Sequence, residues 1–236
     1  MSILIAVYNE ADNVAAVCDE ITAAFAAGPE YEVLFVDDGS TDATVERIQA
    51  LSRAHPSIRL LRHDKRCGKS TALRTGVAGA RAPWIATMDG DGQNDPRDIP
   101  EMLRLAWKAD GPAALVAGIR SRRRDPLSRR IATRFANGLR QRVLQDHCPD
   151  TGCGMKAFRG EDFARLPAFE GMHRFFPALF QLYGHPLICH EVTHRPRAFG
   201  RSKYSNFGRA MVGIGDLLCV VWLRYRTTLP GRVSEG

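Results

Sequence analysis

The chain has 236 residues, 44% of them hydrophobic and 25% charged, and its 33 Lys plus Arg exceed its 26 Asp plus Glu for a formal net charge of +7. This is globular composition at a length that suits one domain with a small appendage, and it excludes a disordered chain, a collagen-like repeat and a disulfide scaffold. The cysteines, Cys18, Cys67, Cys148, Cys153, Cys189 and Cys219, form no C-x-x-C pair, so no zinc ribbon or dithiol motif is expected, and a reducing compartment is.

The opening run Ser2-Ile3-Leu4-Ile5-Ala6-Val7 lacks a basic leader and is too short for a signal peptide, so it predicts a buried strand. Further strands are predicted at Tyr31 to Val36, Ile58 to Leu61, Trp84 to Met88 and Ala113 to Ala117. Helical stretches near 11–26, 42–54, 69–80 and 97–109 alternate with them, punctuated by Gly28-Pro29, Pro56, Pro83 and Gly111-Pro112. Alternating strands and helices imply right-handed crossovers and a mostly parallel sheet, whose ligands bind beyond the carboxyl ends of the strands.

Acids stand at those ends. Strand one runs into Tyr8-Asn9-Glu10, strand two into Asp37-Asp38-Gly39-Ser40-Thr41-Asp42, and strand four into Asp89-Gly90-Asp91-Gly92-Gln93-Asn94-Asp95-Pro96. Thr41, Asp42 and Asp95 read as turn and cap residues. Asp89 and Asp91 do not, because two carboxylates one residue apart repel unless a cation sits between or beside them. Converging oxygen ligands with open positions suit Mg²⁺ or Mn²⁺ on a phosphate substrate. An EF-hand fails here, since its sixth position is Asn94 and its twelfth Pro100. A P-loop fails at Gly68-Lys69-Ser70-Thr71, where the required earlier glycine is His63.

The charge is focused. Nine arginines and one acid lie between Arg120 and Arg142, a local charge of +8, and Arg195, Arg197, Arg201, Lys203 and Arg209 form a second cluster. Such patches fit nucleic acid, an anionic membrane surface or a phosphorylated substrate. Residues 127–144, drawn as a helix, put Leu127, Ile131, Phe135, Leu139 and Val143 opposite most of their arginines; this face suits either the sheet or a headgroup layer. The segment Ala210 to Leu223 is interrupted by Asp216 and falls short of the roughly 20 residues that span a bilayer. Trp222, Arg224, Tyr225 and Arg226 at its end resemble an interfacial anchor.

Four motifs occur in order: Val7-Tyr8-Asn9-Glu10, Val36-Asp37-Asp38-Gly39-Ser40-Thr41-Asp42, Gly68-Lys69 before Leu73-Arg74-Thr75-Gly76, and Met88-Asp89-Gly90-Asp91-Gly92-Gln93-Asn94-Asp95-Pro96. This set resembles the family 2 inverting glycosyltransferases of the GT-A fold. Asp150-Thr151-Gly152-Cys153-Gly154-Met155-Lys156-Ala157-Phe158-Arg159 and the stretch from His194 to Tyr204 resemble its polyprenyl-phosphate, dolichol-phosphate mannose synthase-like subgroup. The likeness covers nearly the whole chain; Ala6, where relatives often carry Pro, is a small departure.

The resemblance implies an α/β GT-A catalytic domain over 1–203 with a mostly parallel Rossmann-like sheet. It also implies a candidate interface helix at 127–145 and an amphipathic membrane-associating segment at 204–236. Ala6, Tyr8, Glu10, Asp37, Asp38, Asp89, Gly90 and Asp91 would bind the nucleotide-sugar, with Asp89, Asp91 and Gln93 holding Mg²⁺ or Mn²⁺. Arg120, Arg129, Thr133, Arg197, Ser202 and Lys203 would meet the acceptor phosphate. Asp91, Asp150 and Arg120 would be catalytic, with Asp150 orienting the sugar or assisting as a base. Arg122, Arg123 and Arg124 read equally as acceptor ligands or a solvated loop, Lys69 and Arg74 as donor contacts or a helix face, and His173 and His194 as packing or support. The expected partners are a nucleotide-sugar donor (GDP-mannose or a UDP-sugar), a polyprenyl-phosphate acceptor, a membrane surface and an integral-membrane protein, with no nucleic acid. The expected place is peripheral, on the cytoplasmic face of the inner membrane. A saccharide acceptor is the rival enzyme reading, and a non-enzymatic anionic-lipid or nucleic-acid module the rival class.

Overall fold

The computed structural model describes residues 1–26, 28–108, 113–120, 137–138, 140–196 and 206–229. In chain order they form β1 (Ser2–Val7), α1 (Val14–Ala24), β2 (Glu32–Asp37), α2 (Thr44–Ala54), β3 (Ile58–Arg62), α3 (Lys69–Gly79), β4 (Trp84–Asp89), α4 (Ile99–Trp107) and β5 (Leu115–Arg120). Then come β6 (Lys156–Arg159), α5 (Gly160–Ala164), α6 (Phe176–Leu182), β7 (Leu187–Val192) and α7 (Asn206–Arg226). All five predicted strands form.

The seven strands make one sheet in the order β3-β2-β1-β4-β6-β5-β7. Neighbours pair in parallel except at β6, which runs antiparallel to both β4 and β5. Register aligns the chemistry: Val7 lies opposite Asp37 and Ala6 opposite Asp89, so β1, β2 and β4 end level. Because β6 is reversed, its first residue, Lys156, stands opposite Thr87 and Ala117 at that same edge. The loop before β6, with Asp150, is thereby delivered to the carboxyl ends of its parallel neighbours.

Both sheet faces are covered, which is why the strands read as continuous apolar runs. Ile3, Ile5, Phe35, Met88 and Val116 pack under α1 and α4 through Val14, Ile21, Ile99 and Met102. Leu4, Leu34, Ile85 and Leu115 face the other way, onto Leu73 of α3 and a phenylalanine cluster from β6, α5 and α6. In that cluster the Phe158 and Phe163 rings stack with centroids 5.3 Å apart, and Phe176 meets Phe163 edge-on at 5.3 Å. α7 closes this side through buried Val220 and an ion pair from Asp216 to Arg174 at 2.7 Å.

Two elements escape a periodicity reading. β6 is four residues, Lys-Ala-Phe-Arg, too short to display a period, and β7 carries Cys189, His190 and Glu191 on the sheet's edge. Most of the 127–144 helix lies outside the described residues, although 140–144 is helical. Among the described residues no helix is long and apolar enough to cross a membrane.

Candidate active site

The lip formed by β1 and β2 is laced by side chains that return their hydrogen bonds to the backbone. Asn9 adopts a left-handed φ of 53°, which lets its N–H donate to Ser40 Oγ at 2.8 Å and its Oδ1 accept from the Thr41 N–H at 2.8 Å. Glu10 donates its N–H to Thr44 Oγ1 at 2.9 Å and accepts from Asn13 Nδ2 at 2.7 Å. Asp42 accepts the Thr44 N–H at 3.0 Å as a turn residue ahead of α2, and Asp95 caps the turn that follows it by accepting the Arg97 N–H at 3.1 Å. Asp37 is fully buried and accepts from the Ser40 N–H at 3.2 Å.

Asp38 ties this lip to the loop before α3. Its two oxygens accept the Cys67 and Gly68 N–H groups at 2.8 Å each, and Oδ1 lies 2.9 Å from His63 Nδ1. Gly39, at φ +73°, admits that loop because a Cβ there would stand 2.7 Å from the Arg66 nitrogen. Arg66 in turn crosses the Tyr8 ring, its guanidinium carbon 4.4 Å from the centroid. Tyr8, Glu10, Asp37 and Asp38 therefore share one wall, with Ala6 in β1 between Val36 and Asp89.

At the end of β4 the cation that two neighbouring acids required is Lys69, whose ammonium pairs directly with Asp89. Gly90 packs where a side chain would meet Val7, and Gly154 where one would collide with the Asp89 carboxylate. Loss of water pushes the Asp89 carboxyl up, but Lys69 first, then Lys156 and Arg120, outweigh it and hold it below the ordinary carboxylate range. Asp91 is buried and accepts the Gln93 N–H at 3.2 Å. Gln93 donates Nε2 to the Arg195 carbonyl at 3.1 Å, so the oxygen of its amide is the atom that a metal there would use. Asn94 pairs with His194 in an isolated bridge.

Across from the acids, Arg120 grips Asp150 in a fork, Nε to Oδ2 and Nη2 to Oδ1 at 2.7 Å each, with the side chains 17% and 8% exposed. Lys156 is buried, donates to the carbonyls of Cys153 and Thr151, and lies 5.7 Å from the Phe176 ring centroid. Burial lowers its ammonium's proton affinity, and neighbouring Lys69 adds to that. His173 meets Ser70 Oγ at 2.8 Å; burial, then Lys69, Lys156 and Arg174, push its imidazole well below 6.5, so it is neutral near pH 7.

The structure thus brings Asp89, Asp91, Gln93, Asp150 and Arg120 to one edge. Arg129, Thr133, Arg197, Ser202 and Lys203 lie outside the described residues. Sequence reading left Lys69 open between donor contact and helix face, took His173 and His194 as packing or support, and gave Lys156 no role. Lys69, His173 and His194 meet Asp89, Ser70 and Asn94 far along the chain, Lys156 bonds to nearby Cys153 and Thr151, and no local period marks any of them.

His194 supplies the test of whether a divalent ion fits. Its Nδ1 is buried with no hydrogen-bond partner among the described residues, and burial first, then Arg120, push its imidazole below 6.5 against the opposing charges of Asp91, Asp150 and Asp89. Two carboxylates, an amide oxygen and an unspent imidazole nitrogen are donor types that Mg²⁺ or Mn²⁺ accepts, whereas the three ligand atoms that already lie within 4.8 Å of one another among the described residues belong to Asp38, His63 and Cys67.

The model of the family described as Glycosyl transferase family 2 matches residues 2–166. Dodecaprenyl-phosphate galacturonate synthase of Rhizobium johnstonii is 34% identical, the alignment covering 98% of this chain and 69% of the relative. Among solved structures, the mannosyltransferase PcManGT from Pyrobaculum calidifontis, in complex with GDP-Man and Mn²⁺, superimposes with a TM-score of 0.67 at 21% identity. That match covers 97% of this chain but 65% of PcManGT. Glucosyl-3-phosphoglycerate synthase from Mycobacterium tuberculosis, in complex with Mg²⁺ and UDP, gives 0.69 at 17% identity and covers 98% and 80% of the two chains. The mostly parallel sheet shared with these structures is that of the GT-A fold, and the family match together with the rhizobial relative defines the class as a glycosyltransferase. Within that class, the chain belongs to glycosyl transferase family 2.

Proposed function

We propose that this protein transfers a sugar from a nucleoside-diphosphate donor to a polyprenyl phosphate, with inversion at the anomeric carbon. The observation that carries the reading is the Arg120–Asp150 fork beside Asp89 and Asp91: a cationic anchor for one phosphate next to an acidic seat for the metal of another. The relative named for dodecaprenyl phosphate supports the acceptor.

In this reading Tyr8, Glu10, Asp37 and Asp38 line the nucleoside end. Asp91, Asp89, Gln93 and His194 would hold Mg²⁺ or Mn²⁺, which when bound offsets charge on the diphosphate as the glycosidic bond breaks. Arg120 presents its guanidinium to the acceptor phosphate, and buried Lys156 adds positive potential behind it. Arg129, Thr133, Arg197, Ser202 and Lys203, which lie outside the described residues, are the further candidates for the acceptor phosphate. A phosphate monoester is already an anion near neutral pH, so its oxygen attacks the anomeric carbon while the bond to the diphosphate breaks, and no base is needed. Asp150 spends both oxygens on Arg120 and so acts as a positioning residue for it.

A lipid acceptor places the protein against a membrane, on the cytoplasmic face where nucleotide-sugars are made. α7 presents a surface for that contact. Ile214, Leu218, Trp222 and Tyr225, spaced four, four and three apart, are 55%, 63%, 61% and 84% exposed, with Arg224 and Arg226 alongside.

The test is transfer from radiolabelled GDP-mannose, UDP-glucose and a UDP-uronic acid to undecaprenyl phosphate in detergent, with Mn²⁺, Mg²⁺ or chelator. A chelator-sensitive lipid product from one donor is expected, and its identity names the sugar. Tight nucleotide binding without a lipid product from any donor would overturn the acceptor.

A further inference from the structure

We propose that Lys69 is an exchangeable counter-cation of this site. Its ammonium neutralises Asp89 before the divalent ion arrives, competes with that ion for the carboxylate, and turns to the donor's diphosphate once the ion has taken its place. The inference rests on the donor half of the proposed function and extends it to Lys69, which the sequence left open between a donor contact and a helix face.

The geometry of Asp89 makes the competition unavoidable. One side of the carboxylate is closed by Gly154, which has no room for a side chain, and the other is taken by Lys69. Lys69 sits on Oδ1, so an ion that coordinates Asp89 either takes that oxygen from the ammonium or lies beside it on Oδ2, where the two cations repel. The other cations near Asp89 are committed elsewhere: Lys156 to the carbonyls of Cys153 and Thr151, Arg120 to Asp150. Among the described residues Lys69 pairs with Asp89 alone.

Lys69 is also built to move. It is the first residue of α3, directly after Gly68, whose left-handed φ of 89° and N–H bond to Asp38 anchor the backbone on the β2 lip. From that fixed point a flexible four-carbon stem reaches to the end of β4 with about a third of the side chain still exposed. The same reach covers the space in front of the acids where a metal-bound diphosphate must lie.

Charge balance gives the exchange its purpose. With Lys69 in place Asp89 is neutralised and Asp91 leaves the cluster at −1, so a divalent ion alone carries it to +1. A diphosphate cancels that charge and offers the ammonium a new partner. Metal and nucleotide are then coupled, each raising the other's affinity, as linkage requires.

The experiment is calorimetric titration of Mn²⁺ into the protein without nucleotide, then of GDP and UDP at saturating Mn²⁺. It uses wild type, Lys69→Met and Lys69→Gln, with thermal unfolding as the folding check. Removing a partly screened ammonium in contact with the carboxylate should tighten Mn²⁺ binding about tenfold in both variants and weaken nucleotide binding about tenfold. Mn²⁺ affinity that is unchanged or lower in a folded variant overturns the proposal. Should Lys69→Met not fold, Lys69→Gln, which keeps a donor without the charge, decides alone. These readouts involve no acceptor, so failure to form lipid product would overturn the acceptor reading and leave this one standing. A wild-type protein that binds no Mn²⁺ even with nucleotide would overturn both the metal seat and this inference.

Discussion

Replacing Asp150 by Asn severs the fork that aims Arg120. The wild-type pair makes two charge-assisted bonds of 2.7 Å, and the Asp150 side chain is 8% exposed. Leaving one partner of a buried ion pair uncompensated costs about 3–5 kcal/mol when desolvation is complete. Here Arg120 retains 17% exposure and Asn retains one acceptor oxygen, so about 2 kcal/mol is expected. For a chain of this size that lowers the melting temperature by about 4–8 °C, measurable by differential scanning fluorimetry. In the transfer assay the loosened guanidinium should raise the acceptor KM about tenfold, lower kcat less, and leave the acid limb of the pH profile in place. A general base behaves differently: kcat falls by about 10²–10⁴ and that limb vanishes, while acceptor KM and melting hold. This second pattern, or wild-type behaviour throughout, would refute the positioning role.

Two further outcomes follow from the same contacts. Gly154→Ala puts a methyl group into the Asp89 carboxylate and should weaken Mn²⁺ binding about tenfold or more while the protein melts within a few degrees of wild type; unchanged affinity in a metal titration would show that Asp89 does not carry the ion. His173 is neutral in the folded state, with its proton affinity depressed below 6.5, whereas in the unfolded chain it titrates near 6.5. As pH falls through 6.5 the unfolded state gains a proton that the native state refuses, so this stability is present above 6.5 and lost below it. His173→Gln, which can keep the hydrogen bond to Ser70, should therefore flatten the fall in melting temperature between about pH 7 and 5.5. Parallel curves for variant and wild type would contradict the burial argument.

Much of the donor side was legible in one dimension. Continuous apolar runs announced strands buried on both faces, and acids after the first, second and fourth runs announced a reactive edge. Asp89 and Asp91 even announced a missing cation, because adjacent carboxylates need one. Lys69 and Arg74 stayed ambiguous between helix face and donor contact, since a helix period says which side a residue faces and not what waits there. The rhizobial relative and the family match agree with the ordered motifs, which carry more information than any single one.

What the sequence by itself determined, then, was local: where strands run, where they stop, and which residues stand at their ends, because burial period and turn chemistry act over a few neighbours. Tertiary structure decided the partners. Lys69 meets Asp89 across 20 residues, Arg120 meets Asp150 across 30, and Ser70 meets His173 across 103. Those pairings depend on strand order and above all on β6, four residues long and reversed between two parallel neighbours. Its reversal brings Lys156 and the Asp150 loop to the carboxyl edge instead of the opposite one. No periodicity encodes that choice, which the packing of Phe158 against α5 and α6 stabilises after the chain has come together.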